Sequence, residues 1–191
     1  MNKYKISTIT LGILLFVSII VLFGAISTSQ IRESGLNSEI ESYKNVFKTD
    51  LKQEENYKSA KEANDYYSFA VNYYDYGDFD NVILSCEKSR ESSSNYMEGV
   101  RELIIEIDNY NDNHFVNYKF MLEEHLKVYK NLYEACEYFE SAARCYSNED
   151  YISGDNNLEG HNEKIVLHDD AVSTSNKYLA QYNFDLVEFK K

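Results

Sequence analysis

The chain has no proline, no tryptophan and only 7 glycines among 191 residues. A β-rich fold needs turn residues at short, regular intervals, so this scarcity excludes sandwiches and barrels and leaves helices joined by few loops. Positive charge is also scarce: 19 Lys+Arg face 32 Asp+Glu, for a net charge of −13. Nucleic-acid binding needs a basic footprint, so no nucleic-acid partner is expected. Chemistry-bearing motifs are missing as well: there is no nucleophile elbow, Gly-rich phosphate loop, Cys-x-x-Cys pair or zinc spacing. The imidazoles are His114, His125, His161 and His168, and none forms a His-x-x-x-His or Glu-x-x-His pair. His161 and His168 stand two helical turns apart, about 10 Å, too far to share one ion. His125 is expected at a different level once its helix folds back on the next, and all four are expected as buried or boundary histidines. The chain therefore reads as a protein with no cofactor and no catalytic activity of its own.

The one long apolar run is Ile6 to Ile26, 21 residues without a charge. About 20 such residues span a bilayer as a helix. Lys3 and Lys5 precede the run and Arg32 and Glu33 follow it. The positive-inside rule then puts the N-terminus in the cytoplasm and the bulk of the chain outside. A cleaved secretory leader is the alternative, because Ala25-Ile26-Ser27 offers a small-x-small site. Without Lys3 and Lys5, residues 28–191 hold 17 positive and 32 negative charges, a net of −15. Anionic lipid repels such a surface, so this part should stand off the membrane. The expected order is a cytoplasmic tail at 1–5, a transmembrane signal-anchor at 6–27, a stalk at 28–45 and an extracytoplasmic helical bundle at 46–191.

Beyond residue 30, apolar side chains recur at three-four spacing. The third segment runs Phe115, Tyr118, Leu122, His125, Tyr129, Leu132, Cys136, Phe139, Ala143, Tyr146. The fourth runs Leu158, His161, Ile165, His168, Val172, Ser175, Leu179, Tyr182, Leu186, Phe189. The second, from Phe79 to Ile107, is looser; the first, about 30–75, weakens through Lys52–Asn56. Sustained heptads predict bundle or coiled-coil packing. Breaks are expected at Tyr76-Gly77-Asp78, at Asn109–Asn113 and over a long loop, Ser147–Asn157, with Asp155 or Asn156 capping the last helix. Short connections force antiparallel neighbours, so the expected fold is all-α, an up-down-up-down four-helix bundle. Ala63–Ala70 aligns with Ala135–Ala142 at an offset of 72, and the match extends through Tyr74/Tyr146, Asp78/Asp150 and Phe79/Tyr151. A duplicated helical hairpin is the expected cause.

Within the first copy, Tyr66, Phe69, Ala70, Tyr73, Gly77, Phe79, Val82, Cys86 and Ser89 follow a large-small-aromatic pattern. Over residues 63–94 this resembles a tetratricopeptide unit, although Ser94 stands where that repeat closes with Pro and no 34-residue recurrence follows. The resemblance implies a protein-binding surface.

Three candidate sites follow. Asp75, Asp78, Asp80, Glu149, Asp150 and Asp155 gather oxygen ligands at the membrane-distal turns, a set that suits Ca²⁺ or serves simply as caps and solvated surface. Tyr76 and Tyr151, beside those turns, are a candidate binding patch. Folding the second helix on the third about residue 111 sets Cys86 opposite Cys136, which predicts a disulfide or a close thiol pair, with Cys145 free. The functional expectation is a membrane-anchored interaction or structural module with a protein partner or a second copy of itself. A ligand or cation sensor acting through a partner membrane protein is the alternative.

Overall fold

The computed structural model describes the backbone over 3–110 and 113–189, and side chains over 37–185 apart from 39, 47, 111, 112 and 114. The elements are α1 (Lys3–Asp75), α2 (Phe79–Tyr110), a short 3₁₀ turn (Asn113–Phe115), α3 (Val116–Ser147) and α4 (Tyr151–Phe189). The described residues contain no strand. The side chains of the apolar run 6–26 lie outside the described residues, as do those of Leu36, Phe47, His114, Leu186 and Phe189. Among the described residues, no helix is long and apolar enough to cross a membrane. Compactness divides the chain into two units, Met1–Phe47 and Lys48–Lys191. The four-helix packing described below belongs to the second.

Neighbouring helices run antiparallel. Ser89 Oγ of α2 donates to the Ala63 carbonyl of α1 at 2.8 Å, and Gln53 of α1 reaches Tyr96 of α2. Between α2 and α3, Arg90 meets Glu140 at 2.6 Å and Lys119 meets Asp108 at 2.6 Å. Between α3 and α4, Phe139 stacks on His161 at 4.6 Å and Tyr118 packs on Tyr182 at 4.6 Å. α1 and α3 run parallel and touch across the bundle: Asn64 donates to Tyr129, and Tyr74 packs on Phe139. Small residues make this approach feasible. Ala63 and Ala70 of α1 and Ala135 and Ala142 of α3 are fully buried, each pair one heptad apart. Around them the core includes Val82, Cys86, Val100, Leu103, Leu122, Leu132 and Phe139, nearly all sealed from solvent. Cys86, Val100, Leu122, Leu132 and Phe139 are periodic positions of the sequence, whereas Val82 and Leu103 are buried one position before the stripe of the second segment; burial of these side chains is the main force holding the bundle.

The two helical hairpins close in the same way. At the first turn, Gly77 N–H donates to the Tyr74 carbonyl and Asp78 N–H to the Tyr73 carbonyl. At the second, Glu149 N–H donates to the Tyr146 carbonyl and Asp150 N–H to the Cys145 carbonyl. Each is a Schellman cap with one left-handed residue, Gly77 (φ 71°) and Glu149 (φ 61°). Asp78 Oδ1 then accepts from Asn81 N–H, and Asp150 Oδ1 from Ser153 N–H, the N-caps of α2 and α4. Every one of these bonds recurs at the 72-residue offset seen in the sequence. The same holds for the ring pairs Tyr74–Phe79 and Tyr146–Tyr151.

This corrects the expected third break. The long loop 147–157 is a three-residue turn, Asn148–Asp150, and Asp150, not Asp155 or Asn156, caps α4. Gly154 misleads as a loop signal: it is buried in the first turns of α4, and a Cβ there would lie 2.6 Å from the Tyr146 ring. Its absence of a side chain admits the aromatic. The weak stretch Lys52–Asn56 does not interrupt α1. Its polar residues instead reach across, with Lys52 paired to Glu106.

Candidate functional site

The contact between Tyr74 and Tyr146, 5.9 Å apart, sets both hairpin turns at one end of the bundle. Beneath the turns lies an aromatic plate of Tyr74, Phe79, Phe139 and Tyr146, with Phe79 and Tyr146 stacked at 5.7 Å. Above it, Tyr76 is 86% exposed, Tyr151 62% and Ile152 79%. Ile152 was not legible as a surface residue so long as the region was read as a loop. Its place one position after Tyr151 in the first turn of α4 turns it outward.

The acidic set at this end is occupied with helix ends. Asp78 and Asp150 are the two N-caps, and Asp78 Oδ2 also accepts from the Asn81 amide at 2.7 Å. Asp155 Oδ1 accepts the Tyr146 hydroxyl at 2.7 Å, while burial, with that bond assisting, pushes the Tyr146 hydroxyl pKa up. Glu149 is the left-handed residue of its turn. Among the described residues, no group of three or more His, Cys, Asp or Glu side chains is gathered as a metal ion would require. Asp75, Asp78, Asp80, Glu149, Asp150 and Asp155 do not converge on one point.

Cys86 and Cys136 face each other across α2 and α3, both fully buried and both free thiols. Cys86 donates a hydrogen bond to Cys136, and that bond, with burial, pushes the Cys86 thiol far above its ordinary range. Cys145, half-buried, is also free.

The three described histidines have partners. His161 is buried, accepts the Tyr67 hydroxyl on Nε2 at 2.9 Å and donates from Nδ1 to Asn162. Burial drives its pKa down, against a smaller opposing effect of Asn162. His125 Nδ1 accepts the Tyr96 hydroxyl at 2.6 Å, and burial lowers its pKa too, so the ring is neutral at pH 7. His168 pairs with Asp169. His125 and His168 line the same cavity from different levels: the pairing of Phe139 with His161 and of Tyr118 with Tyr182 sets His125 level with Ser175, about two helical turns from His168.

That cavity, of about 260 Å³, is open to solvent past the exposed Tyr57 and Asn176 and is lined from all four helices: Gln53, Tyr57, Ala60 and Asn64 of α1, Tyr96 of α2, His125, Val128 and Tyr129 of α3, and His168, Val172, Ser175 and Asn176 of α4. The repeat explains why space opens on this side. At the 72-residue offset, Ser175 occupies the position of Leu103, which is fully buried and fills the other hairpin. Sequence reasoning missed the cavity because Ser175 keeps the heptad phase. Extending the internal alignment to Leu103/Ser175 gives the signal.

No family model, curated protein or solved structure matches this chain.

Proposed function

We propose that the chain is a membrane-anchored, extracytoplasmic helical module that binds another protein or a second copy of itself and has no catalytic activity of its own. The anchor is the uncharged run Ile6 to Ile26, oriented by Lys3 and Lys5, and the hairpins arose by duplication of one 72-residue unit. The observation that carries the interaction reading is the tip: Tyr76, Tyr151 and Ile152, exposed together on a rigid aromatic plate. Aromatic side chains held in place bind with little loss of conformational freedom and are enriched at interface centres. Photo-crosslinking in intact cells tests this. A benzophenone amino acid at position 76, 151 or 152 of the full chain should give a discrete protein adduct, and the same probe at exposed Glu98 should not. No adduct from the tip, or equal adducts from position 98, would refute it. Protease added to the same cells should cleave beyond residue 28; full protection would reverse the topology.

A second reading, an extracytoplasmic ligand sensor working through a partner membrane protein, is favoured by the open cavity between the helices. The cavity points to a small molecule rather than to Ca²⁺.

A further inference from the structure

We propose that the outer groove between α1 and α2 binds an amphipathic helix of another protein, one whose apolar stripe is flanked by Lys and Arg. The proposal deepens the protein-binding reading and rests on it, naming the partner's chemistry and the surface that the partner covers.

The groove begins with a spacing. α1 carries two heptad seams. The first, Ala63, Tyr67, Ala70 and Tyr74, packs on α3 and α4. The second, Tyr66, Phe69, Tyr73 and Tyr76, keeps the same three-four spacing about 100° round the helix. It faces outward: Phe69 is 49% exposed, and Tyr76, where the seam meets the tip, is the most exposed of the four. The Tyr66 and Phe69 rings meet edge to face at 6.3 Å. Lys88 of α2 lies over the Tyr66 ring, its Nζ 5.3 Å from the centroid, so that side of α2 borders the seam. Leu84, 47% exposed, stands one turn from Lys88 on the same side. Apolar residues scattered singly on a surface are ordinary. A seam that holds three-four spacing over ten residues, about 15 Å, is the form against which a further helix packs.

The second hairpin serves as the control, because it closes with the same turn and the same cap. At the 72-residue offset, Ser141, Cys145, Asn148 and Asn156 stand where the first hairpin has Phe69, Tyr73, Tyr76 and Leu84. Tyr138 keeps the place of Tyr66 and lies over Gly160, at the place of Lys88; a Cβ on that glycine would be 2.8 Å from the ring. The hairpin therefore folds with polar and small residues along this line, and the apolar ones of α1 and α2 are not needed for its closure.

Charge selects the partner. Glu62 and Asp65 of α1 and Asp80 and Glu91 of α2 are exposed along this hairpin. The basic residues between 62 and 91 are Lys88 and Arg90. Lys88 covers Tyr66, and Arg90 turns away to Glu137 and Glu140 of α3. A second copy would set one acidic rim against another, and residues 28–191 carry a net charge of −15. Complementary rim charges steer and select a partner, so its apolar stripe is bordered by positive charge.

The test uses the full chain in phosphatidylcholine nanodiscs, with empty nanodiscs as the blank. The probe is a fluorescent peptide of about three heptads with Leu at the three-four positions and Lys elsewhere. A counterpart carries Glu for every Lys. The Lys peptide should bind saturably and more weakly as salt is raised, and the Glu peptide should not bind. The variant Phe69→Ser, Leu84→Asn copies Ser141 and Asn156; it should bind the Lys peptide at least about tenfold more weakly with an unchanged melting midpoint, because both side chains are exposed. The variant Glu62→Gln, Asp65→Asn, Glu91→Gln should lose the preference for Lys over Glu. In intact cells, a benzophenone amino acid at 69 or 84 should give an adduct with a basic segment of another protein, and at 141 or 156 none. Failure of the Lys peptide to bind, equal binding of the Glu peptide, undiminished binding by Phe69→Ser, Leu84→Asn, or an adduct between two copies of the chain would each overturn the proposal. Adducts from 151 and 152 with none from 69 or 84 would overturn the groove and leave the reading of the tip standing.

Discussion

The two hairpin turns offer a test of backbone energetics, because they share the Schellman and N-cap hydrogen bonds and differ in the residue at the left-handed position. In the first turn that residue is Gly77, φ 71°, and a Cβ added there meets nothing within 4 Å. Any cost of Gly77→Ala is therefore conformational, not steric. Placing an L-residue in the left-handed region costs roughly 1–2 kcal/mol. The stiffer unfolded chain returns about 0.4–1 kcal/mol of that. The expected net loss is about 1 kcal/mol, or roughly 2–4 °C in Tm for a chain of this size. In the second turn the strain is already present at Glu149, φ 61°. Glu149→Gly should therefore gain about as much as Gly77→Ala loses. The double variant Gly77→Glu, Glu149→Gly should come out near neutral, because each substitution acts on the backbone of its own turn; any coupling through the Tyr74–Tyr146 contact appears as a departure from the sum of the single variants. Urea and thermal unfolding of the full chain in detergent, followed by near-ultraviolet circular dichroism of its tyrosines, measures all three. If Gly77→Ala is neutral, or Glu149→Gly destabilises, the two turns are not energetically equivalent and the shared cap is not what fixes their geometry.

Three further outcomes are expected. Glu106 sits between Lys48, Lys52 and Tyr110, and the Lys48 and then the Lys52 hydrogen bond hold its carboxyl at about 2, below the ordinary 4.5. Because the folded pKa is the depressed one, this stabilisation is complete above about pH 4.5 and disappears as the pH falls towards 2. With both lysines substantially exposed, it is worth about 1–2 kcal/mol, and Glu106→Gln should cost that at pH 7 and flatten the acid limb of a urea-midpoint-against-pH profile. Phe139 is 2% exposed between Tyr74 and His161, so Phe139→Ala should cost about 3–5 kcal/mol in the same unfolding assay. Refolding from urea in oxidised glutathione, which takes two electrons and two protons from the thiols while both are still accessible, should link Cys86 to Cys136 and not to Cys145, adding about 2–4 kcal/mol; a linked peptide joining Cys145 to Cys86 or Cys136 on non-reducing mapping would show the pairing to be wrong.

The helices, their order and most of the buried positions were legible because burial in a bundle follows the 3.6-residue period, and that period survives in any sequence that folds this way. Leu122, Leu132, Cys136 and Phe139 stand in the core where their spacing puts them. The third break was misjudged because Gly154 and the Asn residues of 148–157 are turn formers by propensity. Packing overrides this: Gly154 accommodates the Tyr146 ring and Asn157 turns back to the Ser153 carbonyl. The cavity was hidden for a different reason. A heptad pattern records which positions face inward but not whether the side chains there fill the space, and Ser175 faces inward while leaving it empty.

The 72-residue relation between hairpins has a kinetic side. The first hairpin is complete once α2 leaves the ribosome, and the ribosome then needs about 4–14 s to make the 72 residues of its counterpart, at roughly 5–20 residues per second. During that interval the face carrying Ala63, Ala70 and Tyr74 has no α3 to cover it. Two nascent chains on one messenger present each other with hairpins of the same shape, and the mispairing that threatens duplicated domains is available to them. Charge opposes it. In the finished bundle Arg90 lies against Glu140 and Glu137, whereas in a pair of first hairpins the equivalent places hold Ser68 and Asp65, so the 2.6 Å contact to Glu140 is exchanged for a hydroxyl. Arg90 thus meets two carboxylates in the second hairpin of its own chain and would meet one, Asp65, in the first hairpin of a neighbour.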